Sequence, residues 1–190
     1  MLLSLFCLFA AVVLIQFFYY IIVFGKFSFG KPQNETPKKI PISVIVCAKN
    51  EEDNVRNFIP LLAEQNYPQF EIVLIDDASS DTTLDIFEEF EKQYSNVKLV
   101  KVENNEAFWG NKKFALTLGI KAAKYEYLLF TDADCYPTSK DWITKMSSQF
   151  TQQKNIVLGY GAYEKIANSF LNKLIRFETL LSSTQIFGWT

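Results

Sequence analysis

Acidic residues grouped at the ends of apolar runs are the side chains in this chain best placed to do chemistry. Asp132 and Asp134 close the run Tyr127-Leu128-Leu129-Phe130-Thr131, which reads as a buried strand. Side chains two apart in an extended segment share a face. The two acids can therefore converge at the carboxyl end of the strand, where open α/β sheets hold their ligands. Converging carboxylates repel unless a positive charge lies between them, and a hard divalent cation with oxygen ligands meets that need. Taken alone, such a pair is more often a solvated turn than a metal site, because Asp is common in turns.

Two more acidic clusters change the balance: Asn50-Glu51-Glu52 after one apolar run, and Asp76-Asp77 with Asp81 after another. Strand ends of one polarity line one edge of a parallel sheet, so the three clusters can meet in a crevice. Lys112 and Lys113, ahead of a helical segment, bring positive charge toward the same edge. A crevice with carboxylates, a metal and a lysine suits a diphosphate, leaving Asp77 or a backbone group to read a base. Ser79, Ser80 and Asp81 suit a turn and a helix cap, with Asp81 or Ser80 as the capping residue.

Composition narrows the chemistry further. The 190 residues contain no histidine, which excludes Ser-His and Cys-His nucleophilic pairs and the common His-containing zinc sites. The three cysteines, Cys7, Cys47 and Cys135, form no C-x-x-C spacing, and their number suggests neither a zinc site nor a disulfide framework. Reduced thiols in the cytosol are the simplest reading. A formal net charge of −2 supplies no basic footprint for nucleic acid, so no nucleic-acid partner is expected.

The elements that would position these residues follow from periodicity. Residues 2–24 carry no charge and are long enough to cross a bilayer as a helix. Lys26, Lys31, Lys38 and Lys39 follow the span, and only the terminal amine precedes it, so the positive-inside bias puts the following domain in the cytoplasm. The expected organisation is a transmembrane anchor over 1–25, a polar linker over 26–40 and one domain over 41–190. That corresponds to a single pass through the inner (cytoplasmic) membrane. Asn34-Glu35-Thr36 matches a glycosylation sequon that a cytoplasmic linker would not use.

Within the domain, residues 42–47, 71–75, 97–102 and 127–131 read as strands. Helical spacing joins them: Val55, Phe58, Leu61 and Leu62, then Leu84, Phe87, Phe90 and Tyr94, then 111–123. Asn50 is a plausible N-cap for the first of these helices, and Pro60 should kink or restart it. Strand and helix in this rhythm imply parallel βαβ units, an α/β fold with helices on both faces of the sheet. A helix over 141–150, a strand over 156–160 and an apolar helical stripe from Phe170 to Leu181 complete the expected elements.

Two other nucleotide folds fit less well. A dinucleotide-binding domain would place an acid where Asp76 stands, but the first turn, Cys47-Ala48-Lys49-Asn50-Glu51, lacks the glycines that let a pyrophosphate approach the backbone. A phospho-receiver domain would put its acidic pair after the first strand, where this chain has Ala-Lys-Asn-Glu.

Four motifs in order identify a closer likeness: residues 41–51 (PISVIVCAKNE), 75–83 (IDDASSDTT), 112–116 (KKFAL) and 130–134 (FTDAD). Over about residues 40–163 the chain resembles glycosyltransferase family 2, the GT-A fold enzymes that include cellulose, chitin and hyaluronan synthases. The resemblance implies a GT-A, Rossmann-like, mainly parallel sheet behind one N-terminal transmembrane helix. It implies that Ala48, Glu51 and Asp77 form the nucleoside-binding edge, with Asp77 reaching the base, and that Lys112 lies near the diphosphate. Asp132 is then the ribose- or diphosphate-side acid, and Asp134, with Asp132, the ligand to Mg2+ or Mn2+. The implied reaction is inverting, metal-dependent transfer from a nucleotide sugar, most commonly a UDP-sugar, to a polysaccharide or lipid-linked acceptor. Family members use a further Asp as general base, and processive members add a Gln-x-x-Arg-Trp motif. Neither stands in these 190 residues, and Glu164 and Glu178 fit a solvated helix face better. The expectation is a donor-binding half whose general base is unknown, with a non-catalytic sugar-nucleotide-binding or partner-docking module as the alternative.

Overall fold

The computed structural model describes residues 2–29, 39–103, 112–151 and 155–187. It divides into two compact units, Glu35–Val157 and a smaller one made of Met1–Asn34 with Leu158–Thr190.

The larger unit is built on four parallel strands, β1 (Ile42–Ala48), β2 (Phe70–Asp76), β3 (Val97–Lys101) and β4 (Tyr127–Asp132). They lie in the order β3-β2-β1-β4. The helices are α2 (Glu52–Ala63), α3 (Thr83–Gln93), α4 (Lys112–Ala122) and α5 (Trp142–Ser148). β1 and β2 are apolar on both sides because both sides are covered, the pattern of a central parallel strand. Ile42, Val44, Val46, Ile72 and Leu74 pack with Val55 and Ile59 of α2, Ile86 and Phe87 of α3 and Ile143 of α5. Ile45, Val73 and Ile75 point the other way and pack with Ala115 of α4. Gly119 of α4 is also buried, and it lets that helix approach Ile45 and Ile75 closely. Helices on both faces are thus produced by the strict alternation of strand side chains.

Several local expectations are corrected. β4 is not a buried strand: it forms the sheet edge, with Tyr127 40% and Phe130 49% exposed, while Leu128 and Leu129 pack to opposite faces. α2 continues through Pro60 without restarting. The expected strand over 156–160 does not form; among the described residues these pair with no strand, and Ile156, Leu158 and Tyr160 are exposed. The N-terminal helix, α1 (Leu2–Phe29), runs four residues into the stretch read as linker, and residues 30–38 of that linker lie outside the described ones.

In the smaller unit α1 packs against α6 (Phe170–Phe187). The turn into α6 passes through Asn168 at φ 60°, a left-handed conformation that Asn tolerates better than most residues. Ser169 Oγ then accepts from the Asn172 N–H (3.1 Å), as an N-cap does. The buried Asn172 holds the preceding segment, donating to the Glu164 carbonyl and accepting from the Ile166 N–H, both at 3.0 Å.

Candidate active site

The sheet order reverses between β1 and β4: β2 and β3 extend to one side of β1, and β4 lies on the other. The crevice outside the carboxyl ends at such a reversal is where open α/β sheets place ligands. Register aligns the candidate residues there, with Ala48 opposite Asp76 and Cys47 opposite Asp132. The Asp77 N–H donates to the Ala48 carbonyl at 2.9 Å, holding the base-reading candidate beside the end of β1. Lys112, the first residue of α4, reaches the same edge and pairs with Asp132 Oδ1 at 2.5 Å.

This ion pair is exposed, 58% for Lys112 and 62% for Asp132, so opening it costs little. The hydrogen bond to Asp132 raises the Lys112 pKa, against desolvation, with help from the charges of Asp132, Cys47 and Asp134. Cys47 experiences the whole cluster. Burial and then Asp77 push its thiol up to about 11; Asp76 and Asp132 act in the same direction and Lys112 opposes them. It is therefore a neutral thiol at pH 7, without the thiolate character a nucleophile needs.

Asp76 is 3% exposed. Its Oδ2 accepts from the Ser79 N–H at 3.3 Å, and among the described residues its buried Oδ1 has no hydrogen-bond partner. Buried acceptors are nearly always satisfied, so this oxygen is a candidate acceptor for a donor outside those residues.

The loops after β1 and β2 are stitched together. Asn50 does not cap α2 as expected. It sits at φ 57°, and its Oδ1 accepts from the Ser80 N–H (2.7 Å) and hydroxyl (3.2 Å), while its own N–H donates to Ser79 Oγ. The free N–H groups at the start of α2 are met from the other loop: Glu51 N–H by Thr83 Oγ1 (2.8 Å) and Glu52 N–H by Asp81 Oδ2 (3.3 Å). In return Glu52 Oε2 accepts from the N–H and hydroxyl of Thr82, and Asp81 Oδ1 from the Thr83 N–H. Asp81 thus serves both helix starts. The Glu51 carboxylate is taken by Asn54 Nδ2 at 2.7 Å.

Desolvation works against the Asp81 carboxylate, but hydrogen bonds from the Thr83 side chain and from the Thr83 and Glu52 N–H groups hold its pKa below the ordinary value. The stability it contributes is therefore complete at neutral pH and is lost as pH falls through the lowered folded value. Asp81→Ala is expected to cost about 1–2 kcal/mol at neutral pH, the scale of a lost cap. Urea midpoints measured across pH should show the difference from the parent shrinking in acid; a constant difference contradicts the assignment.

Asp134 follows β4 in the Ala133-Asp134 turn and not on the strand itself, because β4 ends at Asp132. It is exposed, and among the described residues its Oδ1 accepts just a long contact from the Cys135 thiol (3.5 Å). Among the described residues no group of three or more potential ligands gathers around one point. Two exposed carboxylates nevertheless fit Mg2+ or Mn2+, which are typically held by one or two carboxylates with ligand phosphates and waters completing the shell. A cation bound through protein atoms alone would not be held here.

The structure therefore brings Ala48, Asp77, Lys112 and Asp132 to one edge, with Asp134 two residues beyond. Asp76 and Asn50 are the residues the sequence reading undervalued. Their signals, an acid closing a β-branched run and an Asn able to adopt positive φ, are too common to single them out. In the smaller unit, a cavity of about 560 Å3 is lined by Tyr160, Tyr163, Glu178 and Thr179 among others.

The family model for glycosyl transferase family 2 matches residues 43–188. A poly(ribitol-phosphate) beta-glucosyltransferase of Bacillus spizizenii is 32% identical over 120 residues, which are 62% of this chain and 18% of that protein. A poly-beta-1,6-N-acetyl-D-glucosamine synthase of Staphylococcus epidermidis is 39% identical over 93 residues, 49% of this chain and 21% of that protein. This chain thus spans about a fifth of the length of these curated relatives. A mannosyltransferase of Pyrobaculum calidifontis, solved in complex with GDP-Man and Mn2+, is similar with a TM-score of 0.61 and 25% identity. That match covers 75% of this chain and 42% of the mannosyltransferase. With the family model matched over most of its length and the acidic strand ends gathered at the sheet reversal, the chain belongs to glycosyl transferase family 2.

Proposed function

We propose that this chain forms the donor-binding part of a metal-dependent, inverting glycosyltransferase that takes sugar from a nucleotide sugar, with α1 as its membrane anchor. The observation that carries the reading is the Lys112–Asp132 pair beside Asp76-Asp77 at the sheet reversal. A nucleoside diphosphate offers matching groups: base N–H donors for Asp77 and for the open Asp76 Oδ1, and phosphate oxygens for Lys112. The exposed Lys112–Asp132 pair opens at small cost, so the lysine can exchange a carboxylate for a phosphate and free Asp132.

Asp132 and Asp134 would hold Mg2+ or Mn2+. The bound cation would offset the negative charge that grows on the leaving nucleoside diphosphate. The solved mannosyltransferase relative contains Mn2+ beside its nucleotide sugar, which supports this assignment. The names of the relatives, a poly(ribitol-phosphate) transferase and a polysaccharide synthase, favour a polysaccharide or lipid-linked acceptor. α1 contributes an apolar stretch, Leu2–Gly25, long enough to cross a membrane. The lysines that follow it favour a cytoplasmic position for the larger unit. The general base toward the acceptor is assigned to no residue of this chain.

Lys112→Met tests the diphosphate assignment. Losing a charge-assisted contact to phosphate should weaken UDP binding about tenfold or more, while uridine binding stays unchanged. An equal loss for both ligands, or none for UDP, contradicts it. Release of UDP from a UDP-sugar then separates a transferase from a module that only binds.

A further inference from the structure

We propose that the outer face of α6 lies in the interface of the bilayer that α1 enters, an inference that rests on the anchoring reading above. α6 is amphipathic in an inverted sense. The side it turns toward its own unit carries the buried polar residues Asn172 and Ser183. The side it turns outward carries Phe170 (74% exposed), Leu171, Leu174 and Phe177 (63% exposed). Positions 170, 174 and 177 repeat at helical spacing and so form one stripe. An outward stripe of this kind needs a cover, because contiguous apolar surface left in water is unfavourable.

Three observations favour lipid as that cover. α6 packs against α1, whose apolar residues are bare along most of its length. The covered and half-covered positions of α1 fall mainly in its last turns, at Tyr19, Val23, Phe24 and Gly25. The stripe is therefore part of the same unit as a surface already suited to hydrocarbon, beside the end expected at the cytoplasmic leaflet. Aromatic residues cluster in the carboxyl half of α1, where Phe17 and Phe18, and Tyr19 and Tyr20, pair edge to face; such residues favour the headgroup level. Finally, Lys173 and Arg176 lie along one exposed flank of α6, with Lys165 just ahead of it, while Glu178 lies on the other. An apolar face with a basic flank is what an anionic membrane surface attracts.

The test uses the full chain in vesicles of phosphatidylcholine and phosphatidylglycerol in equal parts, with Cys7, Cys47 and Cys135 replaced by Ser. A nitroxide is attached in turn at Val12→Cys, Leu174→Cys, Phe177→Cys and Arg176→Cys, and its accessibility to oxygen and to a water-soluble nickel chelate is measured. The expected result is a label at Val12 reached by oxygen alone. The oxygen-to-nickel ratio at Phe177 and Leu174 should be several-fold higher than at Arg176. If Val12 is in lipid but Leu174 and Phe177 match Arg176, the α6 proposal fails and the anchor stands. Labels at Leu174 and Phe177 shielded from both reagents would also overturn it, indicating protein as the cover. A nickel-accessible Val12 overturns the anchoring reading itself, and the proposal with it.

Discussion

Asp134→Ala is expected to remove the gain in nucleotide affinity that Mn2+ provides, weakening UDP binding in its presence by about 100-fold. The substitution suits the purpose because Asp134 has little structural work to do. It is exposed in the turn after β4, and among the described residues its side chain accepts just the long contact from the Cys135 thiol. Thermal unfolding of the unliganded variant should therefore match the parent, so that a loss of affinity reports on the ligand and not on the fold. Asp132→Ala should weaken binding as well, but it also frees Lys112 from its partner. Part of its effect would then be offset by a lysine already available to phosphate. Asp134 is thus the cleaner probe, and UDP affinity unchanged by its loss would refute the metal assignment.

The second large effect is expected at Gly119, remote from the ligand edge in chemistry but not in mechanics. A Cβ at this position would overlap Ile75 Cδ1, lie 2.9 Å from Ile75 Cγ1 and meet Ile45 Cγ2 at 3.4 Å. Both isoleucines are fully buried in a filled layer, and β-branched side chains have few rotamers to escape into. Gly119→Val must therefore lift α4 from the sheet, at about 3 kcal/mol or more. In a domain of this size that corresponds to a fall in Tm of roughly 6–12 °C. Gly119→Ala gives a sharper comparison, because helix propensity alone favours alanine by about 1 kcal/mol. Net destabilisation by both substitutions in urea unfolding is the expected outcome. A stabilised Gly119→Ala would show that α4 does not sit as close to the sheet as described. Because Lys112 is the first residue of α4, the same displacement should weaken UDP binding in the valine variant.

The layered core and the gathering of acidic strand ends at one edge were legible in the sequence because both depend on local pattern. Val44, Ile45 and Val46, like Ile72 to Ile75, are runs whose length and β-branching admit little except a strand covered on both faces. The acids that end those runs fall at one edge once the strands are parallel. What sequence did not disclose depends on partners distant in the chain. Asn50 reads as a helix cap, but its side chain is claimed by Ser80 across the neighbouring loop, and the N–H groups of Glu51 and Glu52 by Thr83 and Asp81. β4 is as apolar as a central strand, yet the order of the sheet leaves it at the edge. Residues 156–160 have strand composition, but composition alone does not supply a pairing neighbour. The stripe of α6 was evident as a pattern, and only the fold shows that it points away from its own unit.

The stitching of the two loops has a functional consequence. Ala48, Asp77 and Asp76 are held by backbone and side-chain bonds that need no ligand, so the edge proposed to read the base is formed without a nucleotide. The proposed diphosphate side differs, since Lys112 and Asp132 neutralise each other in an exposed pair that a donor would have to open. Nucleoside recognition should therefore be largely independent of metal, and diphosphate recognition strongly dependent on it.

Calorimetric titration of the chain with UDP, and with GDP as the alternative base, in Mn2+ and again after chelation, tests this directly. The account predicts saturable binding of one of the two nucleotides, at least about tenfold tighter with Mn2+ than without, a difference of about 1.4 kcal/mol. Affinity unaltered by chelation, or no binding of either nucleotide, would contradict it.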